Sequence, residues 1–268
     1  MEARLDMLLV QMKIVSSREK AKELIKSGQV YINGMPCIKA SLLFDESVKI
    51  DIKGETLKYV GRGGLKLEKA IQTFHIDLRD KICADIGAST GGFTDCMLQN
   101  NAKKVYAVDV GHGQLAEKLQ EDKRVENLEG VNVRYITDEH IPEKLNFIGI
   151  DVSFISLMLV IPKLLEFLSE NGEIIALIKP QFEAGKSEVG KKGVVKSQKA
   201  HVNVIKSLLS FFENNKLSCE GLTFSPIKGP EGNIEYLAYL KKSDKDTFFK
   251  SIEVDIKNFV ETTFESLK

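Results

Sequence analysis

The chain has 268 residues, 43% of them hydrophobic and 28% charged, a balance that excludes a disordered chain and allows a small domain joined to a larger one. Its 38 basic residues are matched by 38 acidic ones. No global positive field can therefore draw in an anionic partner, and any such affinity must come from local clusters.

Residues 1–60 read as a unit of their own. Leu5, Leu8, Leu9 and Met12 recur at helical spacing. A second helix is expected from Ser16, which stands at capping-box spacing from Glu19, with Gly28 as its stop. Ala21, Leu24 and Ile25 form its apolar stripe. Val30-Tyr31-Ile32 then runs into Asn33-Gly34, a hairpin-turn signal. Segments 48–52 and 56–60 read as short strands. Arg62-Gly63-Gly64 marks a hinge, so 61–64 is taken as a linker and 65–268 as a second domain. There, strand-length apolar runs at 82–86, 104–108, 147–152 and 173–178 alternate with helical segments such as 94–100 and 155–169. That alternation predicts an α/β fold with a doubly wound, mainly parallel Rossmann-like sheet. Segments 222–225 and 234–240 would close it as an antiparallel pair.

Cys37, Cys83, Cys96 and Cys219 are scattered, with no C-x-x-C pair, so no metal site is expected. The longest apolar stretch, 152–168, is broken by Pro162, Lys163 and Glu166 and falls short of a membrane span. With no secretion signal at its start, the chain is expected to be a soluble, cytoplasmic protein that does not engage membranes.

The most informative stretch is Asp85-Ile86-Gly87-Ala88-Ser89-Thr90-Gly91-Gly92-Phe93, an apolar strand entering a loop of small residues and then a helix. Doubly wound folds bind ligands at such strand ends, where glycines let the backbone come close. Asp109 ends the next strand, about twenty residues past the loop, a place that suits a ribose diol. A dinucleotide is one reading, but the loop lacks the G-x-G-x-x-G spacing, and Asp85 would repel a pyrophosphate. S-adenosylmethionine, whose amino-acid end carries a cation, fits that acid better. A purely structural glycine turn is the bland alternative.

This loop resembles that of the TlyA family, relatives of the FtsJ-type RNA methyltransferases. So do Gly63–Leu67, the segment 150–156, Lys179-Pro180-Gln181-Phe182-Glu183-Ala184-Gly185 and Gly232-Asn233-Ile234-Glu235-Tyr236, in the same order. The resemblance implies S-adenosylmethionine held by Asp85, Gly87, Ala88, Ser89, Gly91, Gly92, Phe93, Asp109, Asn132 and Asp151. It also implies a catalytic set of Lys66, Asp151, Lys179 and Glu235. On that reading Lys179 is the base, Asp151 orients it and faces the sulfonium, and Lys66 and Glu235 hold the ribose. Asp151 and Lys179 each follow an apolar run, which puts both at the C-terminal ends of predicted parallel strands. Taken singly, a lysine or acid there is most often a solvated cap.

Segment 4–52 resembles the S-four-like RNA-binding domain, and this makes Arg4, Arg18, Lys20, Lys22 and Lys26 candidate phosphate contacts, joined by Arg62 near the hinge. Glu19 and Glu23 partly offset these charges, so a solvated helix is the alternative. Lys186, Lys191 and Lys192 begin a second basic patch, read as a mobile loop over the substrate entrance. The family implies methyl transfer to a ribose 2′-hydroxyl, of cytidine, in ribosomal RNA or ribosomal subunits. The rival readings are an RNA-binding protein without chemistry and, from the haemolysin label common in the family, a membrane-active protein.

Overall fold

A computed structural model of the protein describes residues 2–26, 28–52, 58–242 and 255–267. The chain separates into two units, 1–56 and 57–268.

In the first unit β1 (Glu2–Arg4) leads into α1 (Leu5–Gln11), followed by α2 (Arg18–Lys26), β2 (Val30–Ile32), β3 (Met35–Pro36), β4 (Leu43–Asp45) and β5 (Ile50–Ile52). Leu5 and Leu9 of α1 pack on Ala21 and Ile25 of α2, with Val30, Ile32 and Cys37 closing the core. Asn33 and Gly34, both at positive φ, turn β2 into β3, as the Asn-Gly pair predicts. β5 pairs with the other edge of β2, and β4 pairs with β1. The cap of α2 is Ser17 rather than Ser16: the Ser17 hydroxyl accepts from Lys20 N at 3.3 Å. The Ser16 oxygen is instead reached by the Lys20 ammonium.

The second unit runs α3 (Gly63–Phe74), β6 (Ile82–Ile86), α4 (Gly92–Gln99), β7 (Lys104–Asp109), α5 (Glu117–Gln120), β8 (Val125–Glu129), β9 (Leu145–Ile150), α6 (Leu157–Leu164), β10 (Leu168–Ile178), α7 (Pro180–Glu183), α8 (Gln198–Asn214), β11 (Leu217–Phe224), β12 (Tyr236–Lys242) and α9 (Ile256–Ser266). Among the described residues these strands form one sheet in the order β11-β12-β10-β9-β6-β7-β8. The pairings are parallel from β10 through β8, while β12 runs antiparallel to both β10 and β11. Alternate residues of the central strands feed two cores. Ala84, Tyr106, Ile148 and Ile174 face α6 and α8, whereas Cys83, Val105, Phe147 and Ile175 face α3 and α4. Burial on both faces is why these strands read as continuous apolar runs.

Four expectations change. Segment 155–169 is not one helix: α6 stops at Leu164, and Leu168 already begins β10, since Phe167 O accepts from Leu145 N in the neighbouring strand. Segment 56–60 is not a strand over its described part. Its residues 56 and 57 lie outside the described residues, and Val60 N donates to the Asp95 carboxylate of α4 instead of to a strand. The linker expected at 61–64 is partly helical, because Gly63 and Gly64 open α3. Gly64 is a glycine for close approach, not for hinging: a Cβ on it would lie 2.3 Å from the Tyr59 ring, and one on Gly92 would lie 2.8 Å from Gly64 N. Finally, β8 has no counterpart among the expected strands, because Val125-Glu126-Asn127-Leu128-Glu129 is a half-exposed edge strand with little apolar signal. No helix among the described residues is long and apolar enough to cross a membrane.

Candidate active site

The C-terminal ends of β6, β7, β9 and β10 share one rim of the sheet, and the residues expected to act together stand there. The loop after β6 folds back on its neighbours: Gly87 N and Ala88 N both donate to Val108 O, and Asp151 N donates to Ile86 O. Gly87 has φ +85°, and a Cβ there would lie 2.5 Å from Asp151 O, so only glycine fits. Ser89, at φ +49°, directs its N–H to Asp109 Oδ2 at 2.8 Å, while Asp109 Oδ1 accepts from Gly111 N. Asp109 thus braces the loop from the next strand.

Asp85 is buried. Its Oδ2 accepts from both the Thr94 amide and the Thr94 hydroxyl, and its Oδ1 has no partner among the described residues. Burial pushes this carboxyl up to about 7, against the two bonds from Thr94, with the Asp151 and Asp109 charges adding to the rise. Three carboxylates around one glycine loop, one of them with an orphaned buried oxygen, suit a ligand with a cationic end. The residues therefore fit S-adenosylmethionine. Three of the expected cofactor residues have other structural duties. Phe93 lies in the core beneath β9, where a Cβ on Gly149 would meet its ring at 2.8 Å. Gly92 serves the close approach of α3 and α4. Asn132 caps a short helical turn, accepting from Arg134 N.

Beside the loop the four lysines and acids of the predicted set come together from four elements. Lys66 of α3 donates to Glu235 Oε2 at 2.8 Å and to Asp151 Oδ2 at 3.3 Å. Lys179, at the end of β10, reaches Asp151 Oδ1 at 2.6 Å and donates to the Ser153 hydroxyl at 2.8 Å. Lys66, Lys179 and Glu235 are buried, yet the cluster is neutral overall, which is what makes so many charges tolerable away from water. Burial pulls Lys66 down, but the Asp151 and Glu235 carboxylates outweigh it and hold the ammonium above the ordinary lysine range. Burial likewise pushes Asp151 up, and the two ammonium groups reverse this, leaving it below the usual carboxylate range.

Sequence reasoning missed several neighbours. Phe154, at φ +63°, is 90% exposed and lies 5.0 Å from the Phe182 ring. Ser153 and Glu183 join it in holding the turn between Asp151 and α6. All four stand inside segments that resemble the family's, but an exposed aromatic carries no periodic signal.

The candidate RNA contacts fare unevenly. Arg4 and Arg18 both pair with buried Asp6, at 3.0 Å and 2.9 Å, and the Arg18 pair links α1 to α2. Lys20 and Lys26 are exposed and Lys22 is half-buried on α2, while Arg62 is exposed at the start of α3. Lys186, Lys191 and Lys192 are exposed, but the loop that bears them is not loose. It is pinned by Asn233, whose Oδ1 accepts from Val195 N and whose Nδ2 donates to Gly193 O. Buried His201 closes the loop from the other side, bonding Val195 O and the Tyr236 hydroxyl.

Two family descriptions match the chain, an FtsJ-like methyltransferase over residues 59–242 and an S4 domain over residues 3–47. The Bacillus subtilis protein YqxC, whose name provisionally reads rRNA methyltransferase, is 47% identical over 267 residues, spanning 99% of this chain and 95% of that protein. A Mycobacterium tuberculosis protein named 16S/23S rRNA (cytidine-2′-O)-methyltransferase TlyA is 37% identical over 253 residues, 94% of each chain. A solved structure from Streptococcus thermophilus that carries a hemolysin name superposes with a TM-score of 0.79 at 43% identity, covering 98% of this chain and 96% of its own. The chain therefore belongs to the FtsJ-like methyltransferase family, in the branch that includes TlyA, and carries an S4 domain ahead of the methyltransferase fold.

Proposed function

We propose that the protein transfers the methyl group of S-adenosylmethionine to a ribose 2′-hydroxyl of ribosomal RNA, cytidine being the nucleoside that the TlyA relative's name suggests. The observation that carries this reading is the neutral Lys66–Asp151–Lys179–Glu235 cluster beside the Gly87 loop. Asp85 and the loop from Gly87 to Gly91 would hold the amino-acid end of the cofactor, Asp109 its ribose diol and Asn132 the adenosine. Bound there, S-adenosylmethionine supplies an electrophilic sulfonium methyl.

An aliphatic hydroxyl is a poor nucleophile, so its proton must leave as the new bond forms. Lys66 has two carboxylate partners and stays charged. Lys179 has one carboxylate and a neutral hydroxyl, and takes the base role. Lys179 would first release to solvent the proton it carries in the ion pair with Asp151, and its free Nζ would then accept the 2′-hydroxyl proton as the methyl group passes from the sulfonium to the ribose oxygen. Asp151 would face the ammonium that results on Lys179. Lys66 and Glu235 hold the ribose, and the Phe154–Phe182 pair offers its base a surface to stack on. The S4 domain and the exposed lysines support RNA as the substrate.

Lys179→Ala should fold and bind S-adenosylmethionine but lose nearly all transfer of labelled methyl to ribosomal subunits. Activity near the wild-type rate removes Lys179 from the chemistry. A wild-type chain that binds RNA and transfers nothing would instead favour the reading as a binding protein.

A further inference from the structure

Segment 151–156, between β9 and α6, carries Asp151, Ser153 and Phe154, yet it lies outside any helix or strand. Three residues after β10 hold it in sequence. Lys179 takes Asp151 and Ser153, Phe182 packs on Phe154, and Glu183 takes the far end. Glu183 Oε2 accepts from the Ser156 hydroxyl at 2.6 Å, and Glu183 Oε1 accepts from Leu157 N at 2.8 Å. Ser156 is itself the cap of α6, accepting from Met158 N at 3.1 Å. One carboxylate thus fastens the start of α6 to α7, where the unsatisfied amides of a helix N-terminus favour negative charge.

The fastening acts on a strained backbone. Phe154 sits at positive φ, a conformation that is strained for a non-glycine residue and persists only when its surroundings enforce it. Lys179 grips the segment on one side of Phe154 and Glu183 grips it on the other. The Glu183 carboxylate bonds Ser156 and Leu157 rather than Lys179 or Asp151, so its influence runs through the start of α6. Burial also raises the Glu183 carboxyl above its ordinary range, against the bonds from Ser156 and Leu157.

We propose that Glu183 is a positioning residue for methyl transfer, a buckle that holds the turn bearing Asp151, Ser153 and Phe154 in register with Lys179. The proposal rests on the methyl-transfer reading above. It assigns to Glu183 an effect on turnover rather than on cofactor affinity, because the cofactor loop is braced separately by Val108 and Asp109.

The test compares Glu183→Ala, Glu183→Gln and Ser156→Ala in the full chain, by steady-state methyl transfer to ribosomal subunits and calorimetric titration with S-adenosylmethionine. Glu183→Ala should lower kcat by about tenfold to a hundredfold, the scale expected of small misplacements at a reacting centre, while the cofactor Kd stays within about twofold. Glu183→Gln can still accept from Leu157 N and donate to the Ser156 oxygen, so it should recover most of kcat. Ser156→Ala should lower kcat by less than Glu183→Ala does, and should add nothing to it in the double variant. Wild-type kcat in Glu183→Ala overturns the proposal, as does an equal loss in Ala and Gln together with weakened cofactor binding. Should Glu183→Ala fail to fold, Glu183→Gln and Ser156→Ala decide between these outcomes. If the wild-type chain transfers no methyl group, it is the proposed function that fails, and not the buckle alone.

Discussion

Asp85 is a residue whose burial works against the fold. Its carboxyl is buried and pushed up to about 7, so over an interval of pH the folded chain holds a proton that the unfolded chain has released. Stability from this group is fully present below the unfolded value near 4 and is lost as pH rises through 7. The difference in unfolding free energy between wild type and Asp85→Asn should therefore fall between about pH 4 and pH 7 and be flat above that. Urea melts at several pH values would check this, and a flat difference across the interval would show that Asp85 is not held protonated. A cation bound at the loop should draw the carboxyl back down, so saturating S-adenosylmethionine should flatten the wild-type slope.

At the scale of elements, the site depends on how closely β6 and β9 approach at their C-terminal ends. Gly87 permits that approach, with φ +85° and Asp151 O where a side chain would begin. Gly87→Ala should cost about 2 kcal/mol or more in urea unfolding, combining backbone strain with a clash against main chain that cannot move aside. It should also abolish cofactor binding by calorimetric titration, because the loop from Gly87 to Gly91 must move off β9 to relieve the clash. Near-wild-type affinity in this variant would mean that the loop does not hold the cofactor. The packing of α3 on α4 obeys the same rule. Gly64 and Gly92 bring the start of α3 against α4 and so deliver Lys66 to Asp151.

For the whole molecule, a net charge of zero means that any affinity for RNA must come from particular segments. In the second unit the exposed Lys191 and Lys192 stand on a turn held by Asn233, two residues before Glu235. RNA affinity should fall steeply with salt, and the Lys191→Ala, Lys192→Ala double variant should reduce the log–log slope by about one for each phosphate that is no longer neutralised. Filter binding at graded salt would measure this, and an unchanged slope would take the segment out of the RNA interface. In the first unit Arg4 and Arg18 already spend part of their charge on Asp6, whose carboxyl the Arg4 bond holds down at about 2. Lys20 and Lys26 are the freer candidates there.

The central strands, the glycine loop and the hairpin at Asn33-Gly34 are legible in the sequence, because period, β-turn chemistry and positive-φ demands are local properties. The four residues Lys66, Asp151, Lys179 and Glu235 follow from family resemblance, and strand-end logic supports only Asp151 and Lys179. Their joining is beyond local reading, since Lys66 and Glu235 are far apart in the chain and meet only because β12 inserts antiparallel beside β10. Tertiary structure also decided the end of α6, the helical start at Gly63, and the partnership of Glu183 with Ser156. At α6 and at Glu183 a bond to a distant segment outweighed what the local sequence preferred, and at the start of α3 the close packing of Gly64 on Tyr59 and Gly92 did so. The glycine loop could be read from its own residues, whereas the charged cluster beside it exists only where four separate elements converge.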